Sequence, residues 1–164
     1  MVINFAITSL EASRDEAMIT VLGVQNRPGI ASRLFGALAE SDIPLNTIVQ
    51  NSPDAGFTNI TFTVRREKFS AAVDVCRSHL AELAEGLIPE ERVGRLTVVG
   101  QNFEASSGVA ASFFETLGQA NINILAINAN ALALSVLIRE DQLEQAARVM
   151  RRRFDLQDES PKDE

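Results

Sequence analysis

The chain has 164 residues, 46% of them hydrophobic, so it can bury two modest cores or one larger core. A net charge of −7 and an isoelectric point near 4.8 argue against a nucleic-acid surface, which normally needs a basic face. No apolar run reaches membrane-spanning length, and a single cysteine excludes an internal disulfide and favours a reducing cytoplasm.

Residues suited to metal binding or catalysis are sparse in this sequence. His79 is the only histidine, so no second histidine joins it in a metal-ligand pattern. Cys76 lies on the apolar face of a predicted helix, which indicates a core position rather than a nucleophile. We therefore predict no catalytic residue, no metal and no cofactor.

The first half of the chain alternates strand and helix patterns. In order, it predicts a strand at 2–8, a loop at 10–17, a strand at 19–24, a helix at 28–41, strands at 45–51 and 58–64, a turn at 52–56, a helix near 68–85 and a short strand at 87–88. Pro28 suits the first position of its helix, and Asn26 can cap it. This order, β-α-β-β-α-β, is that of a ferredoxin-like sandwich in the α+β class.

The second half repeats the pattern of the first. It predicts a strand at 95–100, a helix at 108–120, strands at 124–128 and 132–138, and a last helix that Asp141 caps. Gly29 and Gly108 are 79 positions apart, as are Ile43 and Ile122, which indicates two copies of one unit. The second copy has no strand after its last helix.

The strand at 2–8 is therefore predicted to cross over and complete the second sheet. The predicted domains are 10–92 and 93–156, the latter together with 2–8, followed by a polar tail at 157–164 that we expect to be disordered. The run Arg151 to Arg153 is interpreted as a complement to the helix dipole rather than a nucleic-acid patch.

The strand, turn and helix of the first copy form a candidate anion site. Gly29 lets the backbone approach a ligand, and the N–H groups of a helix start attract a carboxylate or phosphate. The helix dipole contributes about 0.3–1 kcal/mol at an exposed site and about 2 kcal/mol at a partly buried one.

Several segments carry a family resemblance. Five segments of the first half resemble the first ACT domain of aspartate kinase regulatory regions. They are Val-Leu-Gly-Val at 21–24, Arg-Pro-Gly-Ile-Ala at 27–31, the segments 34–39 and 48–51, and Thr-Asn-Ile-Thr-Phe-Thr-Val at 58–64. The segments 93–100, 121–124 and 135–140 resemble the second ACT domain. The resemblance covers about 2–156 and implies two ACT domains in tandem.

The resemblance also implies a function. Aspartate kinase regulatory regions are non-catalytic, sense end-product amino acids, chiefly threonine and lysine, and thereby restrain aspartate phosphorylation. The implied partners are a small amino acid and a second chain, either in a homodimer or in a hetero-oligomer with a kinase catalytic chain. The implied effector residues are Asn26, Gly29, Ile30, Ala31 and Gln50, facing Asn123 and Ile124, with a possible second effector region at Asn128 and Asn130.

Three single residues and one four-residue segment depart from the family pattern. Asn26 stands where the family usually has Asp, Ser107 replaces a proline, and Pro53 replaces a serine. The family's Ser-Thr-Ser-Glu, part of the effector-response region in lysine-sensitive members, is Asn-Ala-Asn-Ala at 128–131. We therefore expect threonine to bind and lysine to bind weakly or not at all.

Two other functions fit the same fold. A free-standing tandem ACT sensor would regulate a different enzyme, and a pull-down against a full-length aspartate kinase separates it from the first interpretation. An acylphosphatase-type hydrolase would use an arginine and an asparagine in a phosphate loop, which Arg27 and Asn26 imitate only faintly.

Overall fold

The computed structural model describes residues 7–50, 56–101 and 107–156. They form two compact units, each with two helices and one four-stranded sheet. The first unit is Asp15–Val93, and the second joins the N-terminal residues through Arg14 to those from Gly94 onward.

The elements follow the predicted order. They are β1 (Ile7–Ser13), β2 (Glu16–Gln25), α1 (Ile30–Glu40), β3 (Leu45–Gln50), β4 (Phe57–Arg65), α2 (Phe69–Leu83), β5 (Gly86–Glu90), β6 (Val93–Gly100), α3 (Ser107–Gln119), β7 (Ile124–Ala129), β8 (Ala133–Arg139) and α4 (Leu143–Phe154). Short 3₁₀ turns at Arg66–Lys68 and Glu140–Gln142 precede α2 and α4. The ferredoxin-like α+β prediction is confirmed in both units.

The sheet of the first unit has the order β3-β4-β2-β5, with antiparallel neighbours. Ile19 of β2 lies opposite Phe62 of β4, and both are fully buried. The ring of Phe62 also packs edge-on against that of Phe35 in α1, with ring centroids 5.8 Å apart. The two helices thus cover one face of the sheet, and the apolar core lies between the layers.

The sheet of the second unit has the order β1-β6-β8-β7. Leu10 of β1 lies opposite Val98 of β6 and belongs to the core of this unit. The predicted crossover of the N-terminal strand is therefore confirmed, although residues 2–6 lie outside the described part of the chain. The predicted loop at 10–17 is wrong. Leu10 points inward while its neighbours on this edge strand are largely solvent-facing, so the segment has a polar composition despite pairing with β6.

The ends of the first helix in each unit are built alike, which supports the sequence repeat. Asp42 and Asn121, 79 positions apart, both adopt a left-handed conformation, with φ of 53° and 56°. In each case the following N–H returns to the helix. Ile43 donates to the carbonyl of Leu38 at 3.0 Å, and Ile122 donates to the carbonyl of Leu117 at 3.0 Å.

The last helix begins differently from its prediction. Asp141 lies in the 3₁₀ turn before α4 and does not cap it, because the Arg139 guanidinium donates to its two carboxylate oxygens at 3.1 and 2.7 Å. These bonds lower the pKa of Asp141 below its usual value. The arginines at 151–153 occupy the last turn of α4, where they complement the helix dipole, and Arg153 also donates to the Ser112 hydroxyl at 3.1 Å.

The cysteine and the histidine have structural surroundings. Cys76 is buried in the core of the first unit, and this burial raises the pKa of its thiol to about 11. The Nδ1 atom of His79 lies 2.9 Å from the carbonyl oxygen of Val75 on the preceding helical turn. Within the described ranges, no three metal-binding side chains cluster, and no helix has the length and apolar character needed to cross a membrane.

Candidate effector-binding site

A cavity of about 340 Å³ opens in the first unit, where β2 ends and α1 begins. It is lined by Val24, Gln25, Asn26, Arg27, Pro28, Gly29, Ile30, Ala31, Gln50, Thr58 and Ile60. Five of the seven effector residues expected from the sequence are in this set: Asn26, Gly29, Ile30, Ala31 and Gln50. The fold thus brings together residues from a turn, a helix start and an edge strand.

The floor of this pocket is the helix-facing side of the sheet. Gln50 of β3 lies opposite Ile60 of β4, and Val24 of β2 lies opposite Thr58. The register between β2 and β4 shifts just before Val24, at a bulge containing Gly23. Gly23 has φ of 61°, and its N–H donates to Oδ1 of Asn59 at 3.1 Å. The bulge therefore fixes which side chains of β2 line the pocket.

The start of α1 is set by Gly29. Its φ of 89° is a left-handed conformation that favours glycine, and the helix begins at the next residue, Ile30. The predicted cap at Asn26 and the predicted first helical position at Pro28 are therefore both wrong, and no side chain caps this helix. A Cβ atom at Gly29 would meet nothing within 4 Å, so glycine is needed here for its backbone angle rather than for close packing.

Backbone hydrogen bonds hold the turn before the helix. The N–H of Asn26 donates to the carbonyl of Gly56 at 2.9 Å, and the N–H of Arg27 donates to the carbonyl of Gln25 at 3.0 Å. The N–H of Ile30 returns to the carbonyl of Arg27 at 3.3 Å. The turn is therefore built from main-chain contacts, which tolerate changes of its side chains.

The helix start has the electrostatics of an anion site. In an α-helix the N–H groups of the first turn have no acceptor within the helix, and in α1 these include Ala31 and Ser32. The first turn of α1 contains no acidic residue. The N–H of Ile30 is already used within the turn, where it donates to the carbonyl of Arg27. A carboxylate would therefore be held by the remaining first-turn groups.

The other lining groups suit a small polar ligand. The amide side chains of Asn26 and Gln50 provide both carbonyl acceptors and N–H donors. Val24 and Ile60 give the floor an apolar surface, and Thr58, only 3% exposed, adds a hydroxyl. The cavity volume lies at the small end of ligand pockets, which favours a ligand of amino-acid size.

The remaining expected residues belong to the second unit. Asn123 is exposed and precedes β7, while Ile124 begins β7 opposite Ile138 and packs against the core of that unit. Their position facing the first-unit pocket stays a prediction. By the spacing of 79, residues 26–29 of the first repeat correspond to 105–108, of which 105–106 lie outside the described residues and Ser107 and Gly108 begin α3.

The possible second effector region divides into two different environments. Asn128 is exposed on β7, opposite Ser135. The Oδ1 atom of Asn130 accepts hydrogen bonds from the N–H groups of Leu132 at 2.9 Å and Ala133 at 3.0 Å, which closes the β7–β8 hairpin. The side-chain carbonyl of Asn130 is thus engaged in a turn.

Sequence reasoning left six lining residues out of the effector set: Val24, Gln25, Arg27, Pro28, Thr58 and Ile60. Thr58 and Ile60 alternate along β4 on the helix-facing side, a period that the sequence displays. Their place beside Gln50 depends on the strand register, which the sequence does not display.

The ACT-domain family model matches residues 19–80 and 96–154, one segment in each repeat. The aspartokinase of Corynebacterium glutamicum is 35% identical over 153 residues, which are 92% of this chain and 36% of that protein. The regulatory subunit of aspartate kinase from Thermus thermophilus, solved in a ligand-free form, is 28% identical with a TM-score of 0.85, covering 91% of this chain and 99% of that chain.

A solved structure of aspartokinase alpha and beta subunits contains a further similar chain, 32% identical with a TM-score of 0.85, covering 92% of this chain and 100% of that one. The chain spans a little over a third of the length of the curated aspartokinases that it matches. With both repeats matched, the chain belongs to the ACT-domain family and corresponds to the regulatory, non-catalytic region of an aspartate kinase.

Proposed function

We propose that this region binds a small amino acid, with threonine as the preferred effector, in the first-unit pocket and thereby regulates an aspartate kinase. The observation that carries the proposal is the convergence of Asn26, Gly29, Ile30, Ala31 and Gln50 on one cavity of about 340 Å³. The pathway served is then the biosynthesis of the aspartate family of amino acids, under feedback control.

The two charged groups of an amino acid have suitable partners in this pocket. Its carboxylate is held by free N–H groups at the start of α1, Ala31 among them, and by the positive end of the helix dipole. Its ammonium group donates to side-chain carbonyls of Asn26 and Gln50.

Threonine suits the remaining space better than lysine does. Its methyl group packs on Val24 or Ile60, and its hydroxyl finds polar partners at the amide side chains. The ε-ammonium of lysine needs an acceptor when it is partly buried, and no acidic side chain is among the described lining residues. In the second repeat, Asn130 already uses its carbonyl in a hairpin and offers no charge.

The working form is proposed to be a homodimer or a hetero-oligomer with a kinase catalytic chain, in the cytoplasm. β3 lies at an edge of its sheet and exposes 50% of Ile48 and 37% of Val49. An exposed apolar edge strand favours pairing with another chain, because its backbone groups and side chains are otherwise left to solvent.

Three measurements test this proposal. Calorimetric titration with threonine, serine, valine and lysine should rank threonine first, and lysine binding more tightly than threonine would contradict the choice of effector. A ligand at 100 times its dissociation constant should also raise the free energy of unfolding by about 2.7 kcal/mol, which thermal unfolding detects. Capture of a full-length aspartate kinase by the chain, dependent on or altered by threonine, separates this function from a free-standing sensor of another enzyme.

A further inference from the structure

Arg27 lies on the wall of the effector pocket, and it is the sole ionisable side chain among the described residues that line it. We propose that Arg27 makes the pocket reject cationic amino acids, and so is a specificity-determining residue. This inference rests on the proposed function, since it concerns which amino acids the same pocket accepts. It assigns a role to a residue outside the expected effector set.

The positive charge of Arg27 is not neutralised by its described neighbours. The described salt bridges of the first unit include those of Arg33 with Glu82 and of Lys68 with Asp42, and none of those described involves Arg27. The first turn of α1, which follows directly, contains no acidic residue. The guanidinium charge and the positive end of the helix therefore act on the pocket with the same sign.

The size of the pocket brings any bound charge near this group. A cavity of about 340 Å³ has a linear dimension of about 7 Å, so a ligand charge inside it lies within about 7 Å of the part of Arg27 that lines the wall, a distance shorter than the Debye length at physiological salt. A neutral zwitterion presents opposite charges whose interactions with Arg27 largely cancel. Lysine carries an additional positive charge with no such compensation.

The expected discrimination follows from Coulomb's law. Two unit charges about 7 Å apart repel by an amount equivalent to about 3-fold in affinity at the dielectric constant of water and about 50-fold at an effective value of 20. Arg27 is exposed, so we expect the lower part of this range, about 5-fold.

The test compares lysine with norleucine, which has the same carbon skeleton without the ε-ammonium. The ratio of the two affinities is measured by calorimetry, or by competition against threonine where binding is weak, for the wild type, Arg27→Gln and Arg27→Lys. Arg92→Gln, an exposed arginine of the same unit that is absent from the pocket lining, controls for net charge. Folding should survive, because the described hydrogen bonds of residue 27 are made by its main chain.

In Arg27→Gln the relative affinity for lysine over norleucine should rise about 5-fold, while Arg27→Lys and Arg92→Gln should retain the wild-type ratio. The wild-type discrimination should also weaken as salt is raised. Threonine binding with an unchanged lysine-to-norleucine ratio in Arg27→Gln overturns this inference and leaves the proposed function standing. Failure of every amino acid to bind the wild type overturns the proposed function itself.

Discussion

Gly29 offers a direct test of the ligand carboxylate's position, through the matched pair Gly29→Asp and Gly29→Asn. The two new side chains have nearly the same size and shape and differ by one negative charge. Neither is blocked sterically, because a Cβ at this position meets nothing within 4 Å. Both carry the backbone strain of a left-handed conformation, which costs about 1–2 kcal/mol and lowers the melting temperature of both.

The difference between the two variants isolates electrostatics. Two carboxylates about 4 Å apart repel by about 4 kcal/mol at an effective dielectric constant of 20, and by about 1 kcal/mol in bulk water. We therefore expect Gly29→Asp to bind threonine at least about 5-fold more weakly than Gly29→Asn, a free-energy difference of about 1 kcal/mol or more.

Calorimetry gives the two affinities, and thermal unfolding checks that both variants are folded. The aspartate variant should be at least as stable as the asparagine variant, since a negative charge at a helix start is favourable. Equal threonine affinities in two folded variants would refute the placement of the effector carboxylate at the start of α1.

Three further predictions address the pocket, the topology and the buried thiol. Asn26→Asp should tighten threonine binding, because the new carboxylate supplies a countercharge for the ammonium group of the ligand. The 2-hydroxy acid analogue of threonine, which has a hydroxyl group in place of this ammonium group, should gain little affinity. Calorimetry with both ligands checks this prediction, and an equal gain for both would contradict it. Leu10→Ala should destabilise the second unit by about 2 kcal/mol or more and leave amide exchange in β2 and β4 of the first unit unchanged. The control Glu11→Ala, which changes the exposed neighbour of Leu10, should have little effect. Faster exchange in the first unit instead of the second would contradict the crossover. Cys76 has a pKa of about 11 in the folded protein and about 9.0 in the unfolded chain, so its contribution to stability is full below pH 9.0 and is lost as pH rises towards 11. The free energy of unfolding, measured against pH, should show this loss in the wild type and not in Cys76→Ala. Parallel pH profiles for the two proteins would contradict the prediction.

Much of the fold was predictable because its determinants are local or repeated. The buried face of each element follows directly from its periodicity: Leu34 and Leu38 have helical spacing, and Ile60, Phe62 and Val64 alternate along a strand. The spacing of 79 between equivalent residues then identifies the second copy. The crossover of the N-terminal strand followed by elimination, since the second copy lacked one strand.

What could not be predicted depends on contacts between distant residues or on backbone angles. β1 is an edge strand whose partly solvated residues resemble a loop, and its pairing with β6 is visible only in three dimensions. The left-handed angle at Gly29 moves the helix start past Asn26 and Pro28, which a pattern of capping residues does not reveal. Asp141 was predicted to cap α4, but its carboxylate instead accepts hydrogen bonds from Arg139, two residues earlier.

In the pocket too, residues close together in the sequence were predictable, whereas Thr58, brought in from another strand, was not. Residues at the turn and helix start are contiguous in the sequence and were expected from it, together with Gln50 from the family resemblance. Thr58 joins them only through the register of β2 and β4, which the bulge at Gly23 sets. Asn130 is an example of the reverse, because a polar residue in a candidate effector region serves the closure of a hairpin.

The most direct test of the central claim is an amide ¹H–¹⁵N spectrum recorded during titration with threonine. Binding at the start of α1 predicts that the largest shifts occur at the amides of Gly29, Ala31 and Ser32, and at the side-chain amides of Asn26 and Gln50. Saturable shifts at these groups, absent with lysine at the same concentration, would support the account. Saturable shifts confined to other parts of the chain, or no shifts with any amino acid, would contradict it.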